Sequence, residues 1–332
     1  MTIAVYGAGG LGCYVGGRLV AGGAEVVFVG RQRVGDELAA HGLHLTDYLG
    51  ADLRVDGLRF ATSAQAVAEA ELVLVTVKSA ATASAADELA AVLKPGAVVV
   101  SFQNGVRNGD VLRERLPEQV VLSGMVPFNV LTKGGGAFHQ GTEGALDVEE
   151  HAALAPYVEA FARAGLPLQQ HADILAVQWA KLLLNLNNPV NALSDVPLRD
   201  ELSQRAYRRC LAAAQDETLK LLQLKGIRPA RLTALPPERM PAVLRLPDFV
   251  FRRLASKMLA IDPYARTSMW EDLRAGRRTE IDYLNGEVVR LAESLGRTAP
   301  VNAKLVELIR AEETGPRRAW TGAELQRALQ AR

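Results

Sequence analysis

Lys181, Asn185 and Asn188 stand at spacings i, i+4 and i+7 in Trp179-Ala180-Lys181-Leu182-Leu183-Leu184-Asn185-Leu186-Asn187-Asn188-Pro189. One continuous helix would project all three from a single face. Amides set among leucines need partners, because burying one unpaired costs on the order of 1–3 kcal/mol. Helix capping and interhelical hydrogen bonds would account for any one asparagine, but they explain an amine on the same stripe less well. A second polar group follows in Arg266-Thr267-Ser268-Met269-Trp270-Glu271-Asp272 and Arg277-Arg278-Thr279-Glu280-Ile281-Asp282-Tyr283-Leu284-Asn285-Gly286. Within it Thr279 to Asp282 has the form of a helix start, so Glu280 alone also reads as a first-turn acid favoured by the helix dipole.

At the other end of the chain, Gly7-Ala8-Gly9-Gly10-Leu11-Gly12 forms G-x-G-x-x-G directly after an apolar run and ahead of a helical pattern. The first glycine permits a tight turn, the second lets a pyrophosphate approach the backbone, and the third lets helix and strand pack closely. The helix N-terminus then faces the phosphates. This context predicts dinucleotide binding through Gly7, Ala8, Gly9, Gly10, Leu11 and Gly12. Where NAD-selective folds place a carboxylate for the ribose hydroxyls, this chain has Gly30-Arg31-Gln32-Arg33. A guanidinium there can fork onto a 2′-phosphate, so Arg31 points to NADP, with a solvated loop cation as the plain alternative. Lys78 and Gln103-Asn104-Gly105 follow apolar runs at 72–77 and 97–102, the strand edge where ligands collect. Taken alone, Lys78 is an ordinary strand terminus and Asn104-Gly105 an ordinary turn.

These groups need a scaffold. The chain has 332 residues, 49% hydrophobic and 23% charged, which predicts a soluble globular protein of two domains. Runs at 3–6, 25–29, 72–77, 97–102 and 120–126 alternate with helical patterns, as in a mainly parallel sheet covered by helices. Segments 138–140 and 145–148 read as a hairpin, and a further strand is expected near 166–170. From Asp173 onward strand signals stop. Helices are expected over 173–193, 200–226, 249–259 and 281–295, with five prolines between Pro229 and Pro247 marking an irregular or lid-like stretch. The expected fold class is therefore α/β: a Rossmann-type dinucleotide-binding domain over 1–172 and an all-α domain over 173–332.

Composition narrows the partners. Lys and Arg number 38 against 37 Asp and Glu, so no positive field gathers nucleic acid or an anionic membrane surface. Cys13, Cys210 and five scattered histidines offer neither a disulfide framework nor metal-ligand spacing. The start of the chain lacks a signal-peptide pattern and no apolar run is long enough to span a bilayer, so a cytoplasmic setting is expected. A homodimer is an admissible assembly that nothing in the sequence decides.

Taken together, Lys78, Gln103-Asn104-Gly105, Trp179-x-Lys181-x-x-x-Asn185, Ser268-Met269-x-x-Asp272 and Arg278-Thr279-Glu280-Ile281-Asp282-x-x-Asn285-Gly286 resemble the ketopantoate reductases, in the same order and over essentially the whole chain. The resemblance implies NADPH-dependent reduction of 2-dehydropantoate, a small 2-oxo acid, to (R)-pantoate. It implies Lys181 as the catalytic lysine, with Asn185, Ser268 and Glu280 as substrate-binding residues. Asn104 would contact both cofactor and substrate, Lys78 the cofactor, and Glu280 the cofactor as well. In many members a second asparagine stands eight residues after the lysine and precedes proline, whereas here Asn188-Pro189 brings it at seven. Hydride arriving at a ketone carbon pushes negative charge onto oxygen, and a poised ammonium can stabilise that charge and deliver a proton. Two other readings stay open at this point: a reductase of another 2-oxo acid, and a non-catalytic NADP-binding sensor of the same fold.

Overall fold

The computed structural model describes residues 2–255 and 264–330. The chain divides into two compact units, 1–174 and 175–332.

The first unit carries twelve strands: β1 (Thr2–Tyr6), β2 (Glu25–Val29), β3 (Leu43–Asp47), β4 (Asp52–Val55), β5 (Arg59–Ala61), β6 (Leu72–Val75), β7 (Val98–Ser101), β8 (Val120–Met125), β9 (Val130–Gly134), β10 (Ala137–Gln140), β11 (Leu146–Glu149) and β12 (Leu168–His171). Its helices are α1 (Gly10–Ala21), α2 (Gln32–His41), α3 (Thr82–Ala90), α4 (Asn108–Arg115) and α5 (Val158–Arg163). The main sheet runs β12-β11-β8-β7-β6-β1-β2-β5. Every pairing in it is parallel except β11 with β8. After β1 the chain crosses to β2 on one side and later returns to β6 on the other, so the mouth of β1 is a topological switch point.

Strand alternation divides the core into two layers. Ile3, Val5, Phe28, Leu72, Leu74 and Val100 pack with Tyr14 and Leu19 of α1 on one face. Ala4, Tyr6, Val73, Val75 and Val99 pack with Ala86 and Leu89 of α3 and Leu112 of α4 on the other. Burial on both faces explains why these runs are apolar throughout.

The expected hairpin is not formed. Its second strand, β11, joins the main sheet beside β8, while its first, β10, belongs to a separate sheet of order β4-β3-β10-β9. Phe138 enters the core with Leu43 and Leu45 of that smaller sheet. The Gly141–Gly144 link therefore passes between sheets rather than turning a ladder back on itself. Strands β3, β4, β5 and β9 carried no apolar run and went unread.

In the second unit the helices are α6 (Ile174–Asn185), α7 (Asn188–Ser194), α8 (Leu198–Leu202), α9 (Arg205–Lys225), α10 (Met240–Leu244), α11 (Asp248–Leu254), α12 (Ser268–Arg274), α13 (Asn285–Ser294), α14 (Pro300–Thr314) and α15 (Gly322–Gln330). Four expected helices have different bounds. The stretch 173–193 breaks after Asn185, and 200–226 is interrupted after Leu202. Residues 281–295 begin with a 3₁₀ turn at Ile281–Tyr283 before α13, and 249–259 is helical to Leu254, with 256–259 outside the described residues.

The 21-residue α9 is the spine of this unit and ends at Gly226 with φ 77°, the left-handed C-cap that glycine adopts without strain. Its Arg208 is fully buried. The guanidinium donates to Leu202 O (2.9 Å), Leu244 O (3.0 Å) and Leu246 O (2.7 Å), pairs with Asp248 (3.0 Å), and lies 4.0 Å from the Phe251 ring centroid. The proline-rich stretch is thus pinned at its C-terminal end, and it contains a 3₁₀ turn at Pro237–Arg239 as well as α10. Among the described residues no helix is long and apolar enough to cross a membrane.

Candidate functional site

In the first unit the glycine turn leaves β1 and opens α1, with Gly9 as its N-cap. Gly7 has φ +116°, and a Cβ there would meet Val77 and Thr76. A Cβ on Gly12 would strike Gly7 O and come within 2.7 Å of Thr76 Oγ1 and 2.9 Å of Val5 Cγ1. Gly9 is different: a Cβ would find only Gly7 O, at 4.0 Å, and the residue is exposed. Two glycines are required by the protein itself, while the third keeps one side of the turn open at a helix N-terminus whose first amides lack intrahelical acceptors. Gly10 faces Thr132 of β9, Ala8 is buried, and Leu11 packs against the core.

Arg31 immediately precedes α2, exposed, its main chain accepting from Val34 N and Gly35 N. Arg33 instead reaches Glu37 at 3.8 Å along α2. Lys78 is exposed after β6 and Asn104 is exposed after β7. The two segments are tied by a buried polar cage. Gln103 Nε2 donates to Val77 O (2.9 Å) and Thr82 Oγ1 (2.8 Å); Asn108 Nδ2 donates to Asn104 O (2.6 Å) and Ser79 Oγ (3.2 Å). Ser79 Oγ donates to Asn104 O at 3.0 Å, and Thr82 Oγ1 lies 2.7 Å from Asn108 Oδ1. Gly105, at φ +91°, lets the chain turn away after Asn104. The roles of Ser79, Thr82 and Asn108 were not legible; small polar residues inside helical patterns look like surface positions.

The second unit holds Lys181, Asn185, Asn188, Ser268, Asp272 and Glu280. Lys181 and Asn185 sit one turn apart on α6, both partly buried, with Leu182, Leu183 and Leu186 buried around them. Burial pushes the Lys181 amine below the ordinary lysine value of 10.5. Asn188 is not on the same continuous helix: α6 ends at Asn185 and Asn188 begins α7. The break is a tightened turn: Asn187 N donates to Leu184 O at 3.2 Å rather than to a carbonyl four residues back.

Asn188 is brought to Ser268 by the main chain. Thr267 caps α12 by accepting from Trp270 N (3.3 Å), receives support through its own N–H on Asn191 Oδ1 (3.1 Å), and donates its hydroxyl to Asn188 O (3.4 Å). Ser268 is therefore the exposed first residue of a helix fastened to α7. Trp270 Nε1 donates to Asp195 Oδ1 at 2.6 Å, and the Arg266 guanidinium lies 4.3 Å from the Trp270 ring centroid. Asp272 is buried and pairs with Arg277 Nε at 3.0 Å. Glu280 is half-buried and its carbonyl accepts from Tyr283 N (2.9 Å) at the head of the 3₁₀ turn. It is set by its neighbour Thr279, whose N–H and hydroxyl both donate to Glu313 Oε1 at 2.8 Å. The supporting Asn191, Thr267 and Glu313 went unread, although Asn191 lies in the same asparagine-rich run. Among the described residues no cluster of metal-ligand type is present.

Two family descriptions match the chain: "Ketopantoate reductase PanE/ApbA" over residues 3–153 and its C-terminal counterpart over 173–313. A 2-dehydropantoate 2-reductase of Halobacterium salinarum is 32% identical over 321 residues, covering 93% of this chain and 98% of that protein. A crystal structure of a PanE/ApbA family ketopantoate reductase from Ralstonia eutropha JMP134 superposes with a TM-score of 0.81 at 31% identity, covering 94% of this chain and 98% of the other. A D-mandelate dehydrogenase solved with NADH and anilino(oxo)acetate has a TM-score of 0.78 at 21% identity, covering 94% and 98%, a likeness of fold.

Proposed function

The chain belongs to the ketopantoate reductase family of dinucleotide-binding oxidoreductases, and on that premise we propose that it reduces 2-dehydropantoate to (R)-pantoate with NADPH, Lys181 acting as the general acid. The observation that carries this reading is the Lys181 amine, held on α6 beside Asn185 and depressed by burial from its ordinary value. A lysine so tuned gives up its proton more readily than a solvated one, which suits transfer to a developing alkoxide.

The residues present fit a dinucleotide. The open side of Gly9 and the first amides of α1 would receive the pyrophosphate, and Arg31 would receive a 2′-phosphate. Lys78 and Asn104, tied by the buried cage, would hold the cofactor beyond the phosphates, Asn104 also reaching the substrate. When bound, the reduced nicotinamide supplies the hydride.

On the substrate side, the Asn185 and Asn188 amides would donate to the 2-oxo acid, and the Ser268 hydroxyl would hold its end. Glu280, an acceptor, suits the far hydroxyl of ketopantoate and would also touch the cofactor. A substrate lacking that hydroxyl would leave the carboxylate unpaired and bind poorly.

The test is NADPH oxidation with ketopantoate beside simple 2-oxo acids. A clear preference for ketopantoate is expected. Comparable kcat/KM values would remove Glu280 from its role, and NADPH binding without turnover on any 2-oxo acid would favour a sensor.

A further inference from the structure

The bend between α6 and α7 is held by buried groups for which the reaction has no use. Because Asn187 N turns to Leu184 O, Leu183 O loses its usual helical donor, and Gln215 Nε2 from α9 takes that carbonyl at 3.0 Å. On the other side of the bend Glu201 of α8 is fully buried and accepts from Asn187 Nδ2 at 3.2 Å. Asn191 Nδ2 donates to Val196 O (3.0 Å), its Oδ1 accepts from Thr267 N (3.1 Å), and its amide is near enough to favour the Glu201 carboxylate. Asn188 lies between these two asparagines. Glu201 Oε1 and Asn187 Oδ1 have no hydrogen-bond partner, and no cation pairs with Glu201 among the described residues. A carboxylate in that setting is costly and a neutral acid much less so.

We propose that Glu201 is a positioning residue for the 2-oxo acid, holding the Asn187–Asn191 turn that carries Asn188 and working as an uncharged acid. The proposal rests on the functional reading above. Burial pushes the Glu201 carboxyl up to about 8, against the lowering effect of the two asparagine amides. The titratable groups facing it from α9 are Tyr207 and Cys210, and burial holds protons on both, Cys210 to about 12. The nearby Arg208 is committed to Asp248 and to three carbonyls. An ionised Glu201 is accommodated only by admitting solvent between α8 and α7, which loosens the turn and with it Asn188.

The test compares wild type, Glu201→Gln and Glu201→Leu, with KM for ketopantoate and kcat measured from below to above pH 8. The expected wild-type KM rises through that range while Glu201→Gln, which cannot ionise, stays flat. Glu201→Leu raises KM by about ten- to a hundredfold at every pH, with a smaller effect on kcat, because it orphans the asparagine amides. Equilibrium unfolding gives a readout independent of activity. The folded carboxyl binds its proton more tightly than the unfolded one, so its contribution is full below 4.5 and is lost as pH rises through about 8. Glu201→Gln lacks that loss. A Glu201→Gln variant whose KM profile tracks wild type overturns the proposal while leaving the functional reading intact. A wild type that turns over no 2-oxo acid overturns that reading, and the substrate role of Glu201 falls with it.

Discussion

The proposed cofactor edge of the first unit and the polar cluster of the second are built on opposite principles. The first is made of backbone and closed hydrogen-bond circuits: glycines fitted against Thr76 and Val77, and a cage in which Gln103, Asn108, Ser79 and Thr82 bind one another. The second sets polar groups against apolar helices and leaves some of them costly, with a lysine lowered by burial, a Glu201 carboxyl raised by it, and unpartnered oxygens on Asn187 and Glu201. A surface that only binds gains from being fully satisfied. A surface that moves a proton must keep a group ready to change its charge.

The sharpest way to break this contrast is Lys181→Ala. The expected loss in kcat is about 10²–10⁴-fold, the range for removing a general acid, with NADPH affinity largely preserved by isothermal titration. Near-normal turnover would take Lys181 out of the reaction. The pH dependence follows from the proposed role of the same group: a general acid must carry its proton, and burial lowers the Lys181 amine from its ordinary value. Wild-type kcat should therefore decline on the alkaline side at a pH below 10.5, the ordinary lysine value.

The two regions also differed in how far the sequence disclosed them. The parallel strands were readable because burial on both faces leaves uninterrupted apolar runs, and the glycine turn because steric necessity fixes residue type at Gly7 and Gly12. Lys181 and Asn185 were readable from helical spacing. Asn188 falls on a second helix rather than on the continuous one its spacing suggests, since periodicity alone cannot show that Asn187 N abandons the α-helical pattern. The strands of the small sheet alternate apolar and polar residues over only a few positions, as in Leu43-His44-Leu45, and that signal is too short to stand out. Glu201 and Thr82 were invisible for another reason: a charged or hydroxyl residue in a helix reads as solvent-facing until its neighbours are known.

Within the first unit, two glycine substitutions should separate packing from ligand approach. Gly12→Ala drives a methyl group into Gly7 O, Thr76 and Val5 and should destabilise the protein by about 1–3 kcal/mol in denaturant unfolding. Gly9→Ala meets open space, so it should unfold like wild type yet bind the dinucleotide more weakly. Equal unfolding and equal binding in the Gly9 variant would show that no phosphate approaches there. Arg31→Ala should follow with roughly a tenfold loss of preference for NADPH over NADH in competition assays, since a charge-assisted bond to the 2′-phosphate is removed. Equal weakening of both cofactors would show that Arg31 does not read that phosphate.

The smallest effect on turnover is expected from Thr82→Val, which keeps the shape of the side chain and removes only the hydroxyl. That oxygen accepts from Gln103 Nε2 at 2.8 Å and lies 2.7 Å from Asn108 Oδ1 and 2.9 Å from Ser79 O. Its loss strands buried donors and acceptors, so stability should fall by about 1–3 kcal/mol. Gln103 keeps its bond to Val77 O and Asn108 keeps its bond to Asn104 O, so the Lys78 and Asn104 segments stay joined by the remaining contacts. The KM for NADPH should then rise only a few-fold, with kcat unchanged because Lys181 belongs to the other unit. A loss of kcat comparable to that of Lys181→Ala would mean that the cage takes part in the chemical step, and the division between a satisfied binding edge and the proposed proton-transfer site would no longer hold.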